Sequence, residues 1–356
     1  MSYIAKPVAR HPRMPVNALG LTTRDYEGSM STLCAGCGHD SVTAALIQAL
    51  FEMNVEPHRL AKLSGIGCSS KTPTYFAKTA HGFNSVHGRM PSIAAGANAA
   101  NRDVLYVGIS GDGDSLSIGL GQFCHAIRRN VNMLYVLENN GVYGLTKGQF
   151  SASADVGSKA KGGDANQQGP IDSVSLALTL GATFVARSFS GDKAQLVPIL
   201  KAGLAHNGFA FVDVISPCVT FNDHEGSTKS YAHTRKNMHE VIDADFIPSD
   251  FVPLKREITT DYERGTTTAV TMHDGSVVRL RKVAEDYDPS DRRAVVDYLG
   301  DAASRGEIAT GLLYISEAGK DLHGFENTSA TPLVKLPYEK LCPGSAALDE
   351  LQKEWV

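Results

Sequence analysis

Short apolar runs alternate with stretches of helical spacing along most of the chain. The runs at 60–66, 104–109, 133–137, 183–187 and 209–215 are bounded by Gly, Asn and Asp and read as buried parallel strands. Between them, 115–129 carries Leu116, Leu120, Phe123 and Ile127 at helical intervals. The stretch 40–53 does the same with Val42, Ala45, Leu46, Ala49, Leu50 and Met53, and Asp40 is placed to cap it. Further helices are expected at 92–101, with Pro91 in the first turn, at 171–179 and at 193–207. Strand–helix alternation of this kind predicts a doubly wound α/β fold with a parallel sheet.

The pattern changes after Cys218. Residues 221–250 are polar, and 266–272 and 276–282 alternate about His273-Asp274-Gly275, a β-hairpin signal. A helix is expected at 290–304 and an amphipathic end at 346–355. The chain thus divides into an N-terminal arm (1–27), an α/β domain (28–220) and a C-terminal extension (221–356) packed on the core or on a partner. No internal repeat stands out.

The run at 104–109 ends in Gly111-Asp112-Gly113-Asp114, and the run at 133–137 ends in Asn139-Asn140. Both fall at the carboxyl edge of the sheet, where open α/β folds place ligands. A helix N-terminus attracts phosphate, but two aspartates repel it unless a divalent cation lies between. Magnesium takes carboxylate, amide and backbone oxygens together with phosphate oxygens. Asp112, the Asn140 side chain and the Val142 carbonyl make a plausible set. Gly-Asp-Gly alone is an ordinary turn. Followed by a helix, a strand and an Asn pair, it resembles the thiamine diphosphate signature. The stretch 151–170, small, polar and Gly-rich, reads as a mobile loop over this site.

Six cysteines in a chain of 356 residues suggest metal or redox chemistry rather than a disulfide scaffold. Cys34 and Cys37 form a Cys-x-x-Cys, while Cys68 and Cys218 stand singly beyond strand ends. Four thiolates suit zinc or a four-iron, four-sulfur cluster. Cys124 reads as a core residue and Cys342 as incidental. His39 and His87 lie in glycine-bounded segments near the expected site and read first as structural. A net charge of −4 argues against a nucleic-acid surface. No apolar run is long enough to span a membrane, and the first 27 residues lack a signal-peptide core. A cytoplasmic protein is expected.

Five motifs together resemble the β subunit of 2-oxoacid:ferredoxin oxidoreductases, most closely the 2-oxoglutarate type. They are Cys34-Ala-Gly-Cys37-Gly-His, Gly65-Ile-Gly-Cys68-Ser-Ser-Lys71, His87-Gly-Arg89, Gly111-Asp-Gly-Asp114 and the run from Asn139 to Gln149. The likeness covers roughly residues 30–220. It implies a thiamine diphosphate-binding α/β fold with Gly67, Ser69, His87, Gly111, Asp112, Gly113, Asp114, Asn140, Val142, Gly144, Leu145 and Thr146 around the cofactor. Magnesium would sit on Asp112, Asn140 and Val142, and one 4Fe-4S cluster on Cys34, Cys37, Cys68 and Cys218.

The resemblance also implies an α subunit carrying the aminopyrimidine half of the site, in an α2β2 assembly with ferredoxin as electron acceptor. The implied reaction converts a 2-oxoacid, CoA and oxidised ferredoxin to acyl-CoA, CO2 and reduced ferredoxin. For 2-oxoglutarate, Lys71 is the expected partner of the second carboxylate, with Lys147 and Arg89 as other candidates and Leu145 suited to the longer chain. The rival readings are pyruvate or branched-chain 2-oxoacids as substrate, and a non-redox thiamine enzyme with structural zinc.

Overall fold

The computed structural model describes residues 11–159, 163, 165–247, 267–271, 277–282, 287–316 and 319–355. Within these, the helices are α1 (Gly38–Glu52), α2 (Thr72–Tyr75), α3 (Met90–Ala100), α4 (Leu120–Arg128), α5 (Ser173–Thr179), α6 (Lys193–Ala205), α7 (Tyr231–Asn237), α8 (Arg292–Ser304), α9 (Leu322–Glu326), α10 (Tyr338–Leu341) and α11 (Ser345–Lys353). The strands are β1 (Leu60–Ser64), β2 (His81–Asn84), β3 (Leu105–Gly111), β4 (Met133–Asn139), β5 (Val142–Tyr143), β6 (Gln149–Phe150), β7 (Phe184–Phe189), β8 (Phe209–Ile215), β9 (Met238–Ile247), β10 (Thr267–Thr271), β11 (Val277–Lys282) and β12 (Ile308–Ile315).

Ten of these strands form one sheet in the order β10-β11-β9-β12-β7-β8-β4-β3-β1-β2. From β7 to β2 every pairing is parallel. β4 and β8 are buried at all seven of their positions. A strand buried at odd and even positions alike is covered on both faces, as the doubly wound fold requires. α6 packs along β4, β7 and β8 and against α1, whereas α3 packs with α4, and α5 with α8.

The C-terminal third continues this sheet. β12 pairs antiparallel with β7 and parallel with β9, and β9, β11 and β10 follow antiparallel. The two strands of the expected hairpin are there, while its His273-Asp274-Gly275 turn lies outside the described residues. β2, β9 and β12 were not legible as strands. Every residue of β2 is exposed, so it carries no burial pattern to read.

Two local expectations need correction. Cys37, not Asp40, is the N-cap of α1; Asp40 lies one turn in and accepts a bond from Ser31 Oγ at 2.6 Å. The helix expected from 115 begins instead as a π-turn over Gly113–Ile118 and becomes α-helical only at Leu120. Gly119 sits so close to the Gly88 backbone that a Cβ there would be 2.8 Å from the Gly88 carbonyl, and the wider turn accommodates this approach. In the N-terminal arm, residues 17–26 lie on the chain's own body. Tyr26 is fully buried, donates to Val55 O at 2.8 Å and receives Asn17 Nδ2 at 2.9 Å. Cys124 is half-buried on α4, where its neighbour Phe123 takes the core position, and Cys342 is exposed.

Candidate active site

The carboxyl ends of β1, β3 and β4 deliver the motif residues to one edge. Asp112 is buried, and its Oδ2 receives Gly141 N at 2.9 Å and the hydroxyls of Ser151 and Ser153 at 2.5 Å each. Burial pushes its pKa up, and the two serine bonds, followed by the charge of Lys229, pull it back. All three bonds end on Oδ2. Asn140 is anchored through its carbonyl by Asn222 Nδ2 at 2.7 Å, and its Oδ1 receives Val142 N at 3.0 Å. Asn139 points the other way. Its amide joins Asp213 at 3.1 Å and receives Ser153 Oγ at 2.9 Å, which ties β4, β8 and the 151–153 segment together.

Asp114 holds the neighbouring loops in place. Its Oδ1 receives Gly88 N at 2.7 Å, Ile66 N at 3.2 Å and His87 Nδ1 at 2.5 Å, and its Oδ2 receives Ser110 Oγ at 2.6 Å. A Cβ at Gly65 would stand 1.9 Å from Asp114 Oδ2, so only glycine fits. A Cβ at Gly113 would meet the Tyr143 ring at 2.4 Å, and Tyr143 Oη donates to Gly113 O at 2.9 Å.

Two adjoining cavities result. One, of about 80 Å³, is lined by all of Gly67, Ser69, His87, Gly111, Asp112, Gly113, Asp114, Asn140, Val142, Gly144, Leu145 and Thr146. The other, of about 170 Å³, is lined by Cys34, Cys37, Cys68 and Cys218 together with Lys71. His39, Cys68, Asn140, Gly144 and Leu145 line both. Larger depressions, of about 580 and 710 Å³, hold none of the motif residues. Lys147 and Arg89 line neither of the two adjoining cavities, whereas Lys71 and Leu145 lie on their walls.

The donor set fits a thiolate-bound cluster. Burial pushes the Cys218 thiol up, and the backbone N–H groups that follow it pull it partly back; Phe221 N and Asn222 N donate to the Cys218 carbonyl at 3.2 and 2.9 Å. Thr220 Oγ1 donates to Cys34 Sγ at 3.4 Å. A Cβ at Gly144 would lie 3.4 Å from Cys68 Sγ and 3.6 Å from Cys218 Sγ, so the glycine backbone lies beside both thiols. Burial first, then Glu138, Cys218 and Cys68, push the Cys37 thiol up to about 12. Cys34, Cys37, Cys68 and Cys218 thus line one cavity. Yet among the described residues no three His, Cys, Asp or Glu side chains converge as a single metal ion requires.

Several site residues gave no sign of their role in the sequence, although His39 was placed near the site. Ser151 and Ser153 sit in what reads as a loop over the site, and they prove to be buried and bonded to Asp112. Glu138 is fully buried at the end of an apolar strand and receives Thr72 Oγ1 on both oxygens, at 3.0 and 3.1 Å. Burial lifts its carboxyl well above the usual range. The one available clue was a carboxylate in an otherwise apolar run. His39, 1 % exposed, has Nδ1 2.6 Å from Ser216 Oγ and 3.5 Å from Glu138 Oε2, and burial lowers its pKa to about 4.

The fold and this edge define a thiamine diphosphate-binding α/β protein. Residues 65–214 match the family described as "Thiamine pyrophosphate enzyme, C-terminal TPP binding domain". The relatives narrow this further. The β subunit of 2-oxoacid:ferredoxin oxidoreductase from Saccharolobus solfataricus is 41 % identical over 57 % of this chain and 66 % of its own. The 2-oxoglutarate synthase subunit KorB of Methanocaldococcus jannaschii is 37 % identical over 53 % of this chain and 69 % of its own. A 2-oxoglutarate:ferredoxin oxidoreductase structure from Magnetococcus marinus, solved with 2-oxoglutarate, coenzyme A and succinyl-CoA bound, superposes with a TM-score of 0.69. It is 29 % identical, and the match covers 89 % of this chain and 91 % of that one. The chain belongs to the family of 2-oxoacid:ferredoxin oxidoreductase β subunits. The match to the Saccharolobus relative spans just under two thirds of that protein.

Proposed function

We propose that this chain is the β subunit of a 2-oxoglutarate:ferredoxin oxidoreductase, which converts 2-oxoglutarate and CoA to succinyl-CoA and CO2 while reducing ferredoxin. The observation that carries this reading is the shared wall of the two cavities. It supports a phosphate-and-cation site directly beside a four-thiol site. Asp112, Asn140 and the Val142 carbonyl would hold magnesium and through it the diphosphate, and Cys34, Cys37, Cys68 and Cys218 would hold a 4Fe-4S cluster. When bound, thiamine diphosphate supplies an electron sink for decarboxylation and the cluster an acceptor for single electrons.

The chain's own residues place and shield these groups. Gly144 and Leu145 stand on the wall shared by the two cavities, which keeps the path between them short. Lys71, on the cysteine-side wall, offers a cation to a second substrate carboxylate, and Leu145 an apolar contact to the methylenes before it. A cavity of about 80 Å³ is far below the roughly 300 Å³ that a drug-sized ligand requires. This supports an α subunit that completes the cofactor site, with α2β2 as the assembly. Six free cysteines suit a reducing, cytoplasmic compartment. Among the described residues no helix is long and apolar enough to cross a membrane.

Metal analysis of the αβ complex purified without oxygen tests the reading. About four irons and four sulfides per chain are expected. About one zinc without sulfide would overturn it in favour of a non-redox thiamine enzyme. In the same complex, Lys71→Ala should lower the use of 2-oxoglutarate relative to pyruvate. An unchanged ratio would remove Lys71 from substrate recognition.

A further inference from the structure

We propose that His39 is a positioning residue, which fixes the Asn140 amide so that its oxygen, not its nitrogen, is presented to the cation. The inference rests on the reading above that Asn140 is a magnesium ligand.

An asparagine amide presents an oxygen on one side and a nitrogen on the other, and only the oxygen binds magnesium. Two contacts decide which way Asn140 faces. On one side Val142 N donates to Oδ1 at 3.0 Å, and the reverse orientation would set an N–H against an N–H. On the other side Nδ2 lies 3.5 Å from His39 Nε2. Which role Nε2 plays depends on where the ring carries its hydrogen. Nδ1 faces Ser216 Oγ at 2.6 Å and Glu138 Oε2 at 3.5 Å, two oxygens that can both accept. In the tautomer with its hydrogen on Nδ1, where the ring donates to Ser216 Oγ, Nε2 is an acceptor for the Asn140 N–H. The reverse orientation would point the amide oxygen at the Nε2 lone pair.

His39 is two residues after Cys37 and opens α1, so the same ring joins the thiol-bearing loop to the cation site. Partners of this kind typically change metal affinity 10–100-fold when removed.

The test is a magnesium titration of the intact αβ complex in saturating thiamine diphosphate, read as cofactor retained after gel filtration. His39→Leu should weaken magnesium by about tenfold or more, with iron per chain unchanged. The decisive control repeats this in an Asn140→Asp background. The two oxygens of a carboxylate are equivalent and need no orienting, so there His39→Leu should cost less than about threefold. An equal loss in both backgrounds would make His39 a merely structural residue and overturn the inference, as would no loss in either. If the wild-type complex retains no thiamine diphosphate at any magnesium concentration, the proposed function itself fails and takes this inference with it.

Discussion

The parallel half of the sheet and the chain's last thirty residues treat polarity in opposite ways. β4 and β8 are wholly buried, yet they carry Glu138, Asn139 and Asp213. Each is paired: Glu138 with Thr72, Asn139 with Ser153 and Asp213, and Asp213 with Arg187 and Ser173. Beyond Thr328 the reverse holds. Val334 is 79 % exposed, Tyr338 72 % and Trp355 85 %. A buried polar group left unpaired costs about 1–3 kcal/mol, so a network of such groups holds one geometry and resists change. Apolar side chains in water impose no such constraint on their neighbours. The site is built where the first regime holds, and substitutions should have sharply unequal effects in the two regions.

Gly65→Ala should have the largest effect. The added methyl falls on Asp114, whose carboxylate is held by Gly88 N, Ile66 N, His87 and Ser110, so no single flexible group can yield. We expect a loss of about 3 kcal/mol or more in urea unfolding. A loss below about 1 kcal/mol would show that the Asp114 network is pliable and would weaken the contrast between the regions.

Lys62, on β1, sharpens the comparison through pH. It is buried, and its Nζ donates to Pro73 O and Phe76 O at 2.7 Å each. A neutral amine has enough N–H groups for both bonds, and burial lowers the lysine from 10.5 to about 8. Between those values the unfolded chain binds a proton that the folded chain does not, so this group's contribution to stability rises with pH across the window. Relative to Lys62→Met, the wild type should gain on the order of 1–3 kcal/mol between pH 8 and pH 10. A flat difference across that range would mean that Lys62 stays charged in the folded chain.

The parts of this molecule legible in its sequence are those governed by local pattern. The five runs from 60–66 to 209–215 are strands because their apolar side chains are contiguous and their ends are marked by Gly or Asn. Asp112 and Asn140 were legible because a βαβ unit fixes where its strand ends fall. β12 was not. It is apolar enough to be a strand, but its place beside β7 depends on an antiparallel return from α8 that no spacing announces. Ser151, Ser153 and His39 were illegible in role for a related reason. Their partners lie 39, 41 and 101 positions away, and a hydroxyl or an imidazole in a Gly-rich stretch gives no sign of what it will meet.

Removal of residues 329–356 should have the smallest effect. Of the described residues in this segment only Pro332 is buried, and α10 and α11 bury no side chain. Its ion pair to the body joins Lys335 to Asp103 at 2.6 Å, with both side chains more than a third exposed. Exposed pairs of this kind contribute about 0–1 kcal/mol and weaken with salt. The truncated chain should therefore unfold within about 1 kcal/mol of the full chain at low salt, and the gap should narrow at high salt. The cut leaves the His323–Thr328 bond at 2.8 Å and the contact of Leu322 N with Asn130 O at 3.0 Å intact, so α9 keeps its anchor. A loss above about 2 kcal/mol that persists in high salt would require apolar burial by the tail. It would move these residues into the same regime as the parallel half, and the contrast between the two regions would fail at the end where it is expected to be clearest.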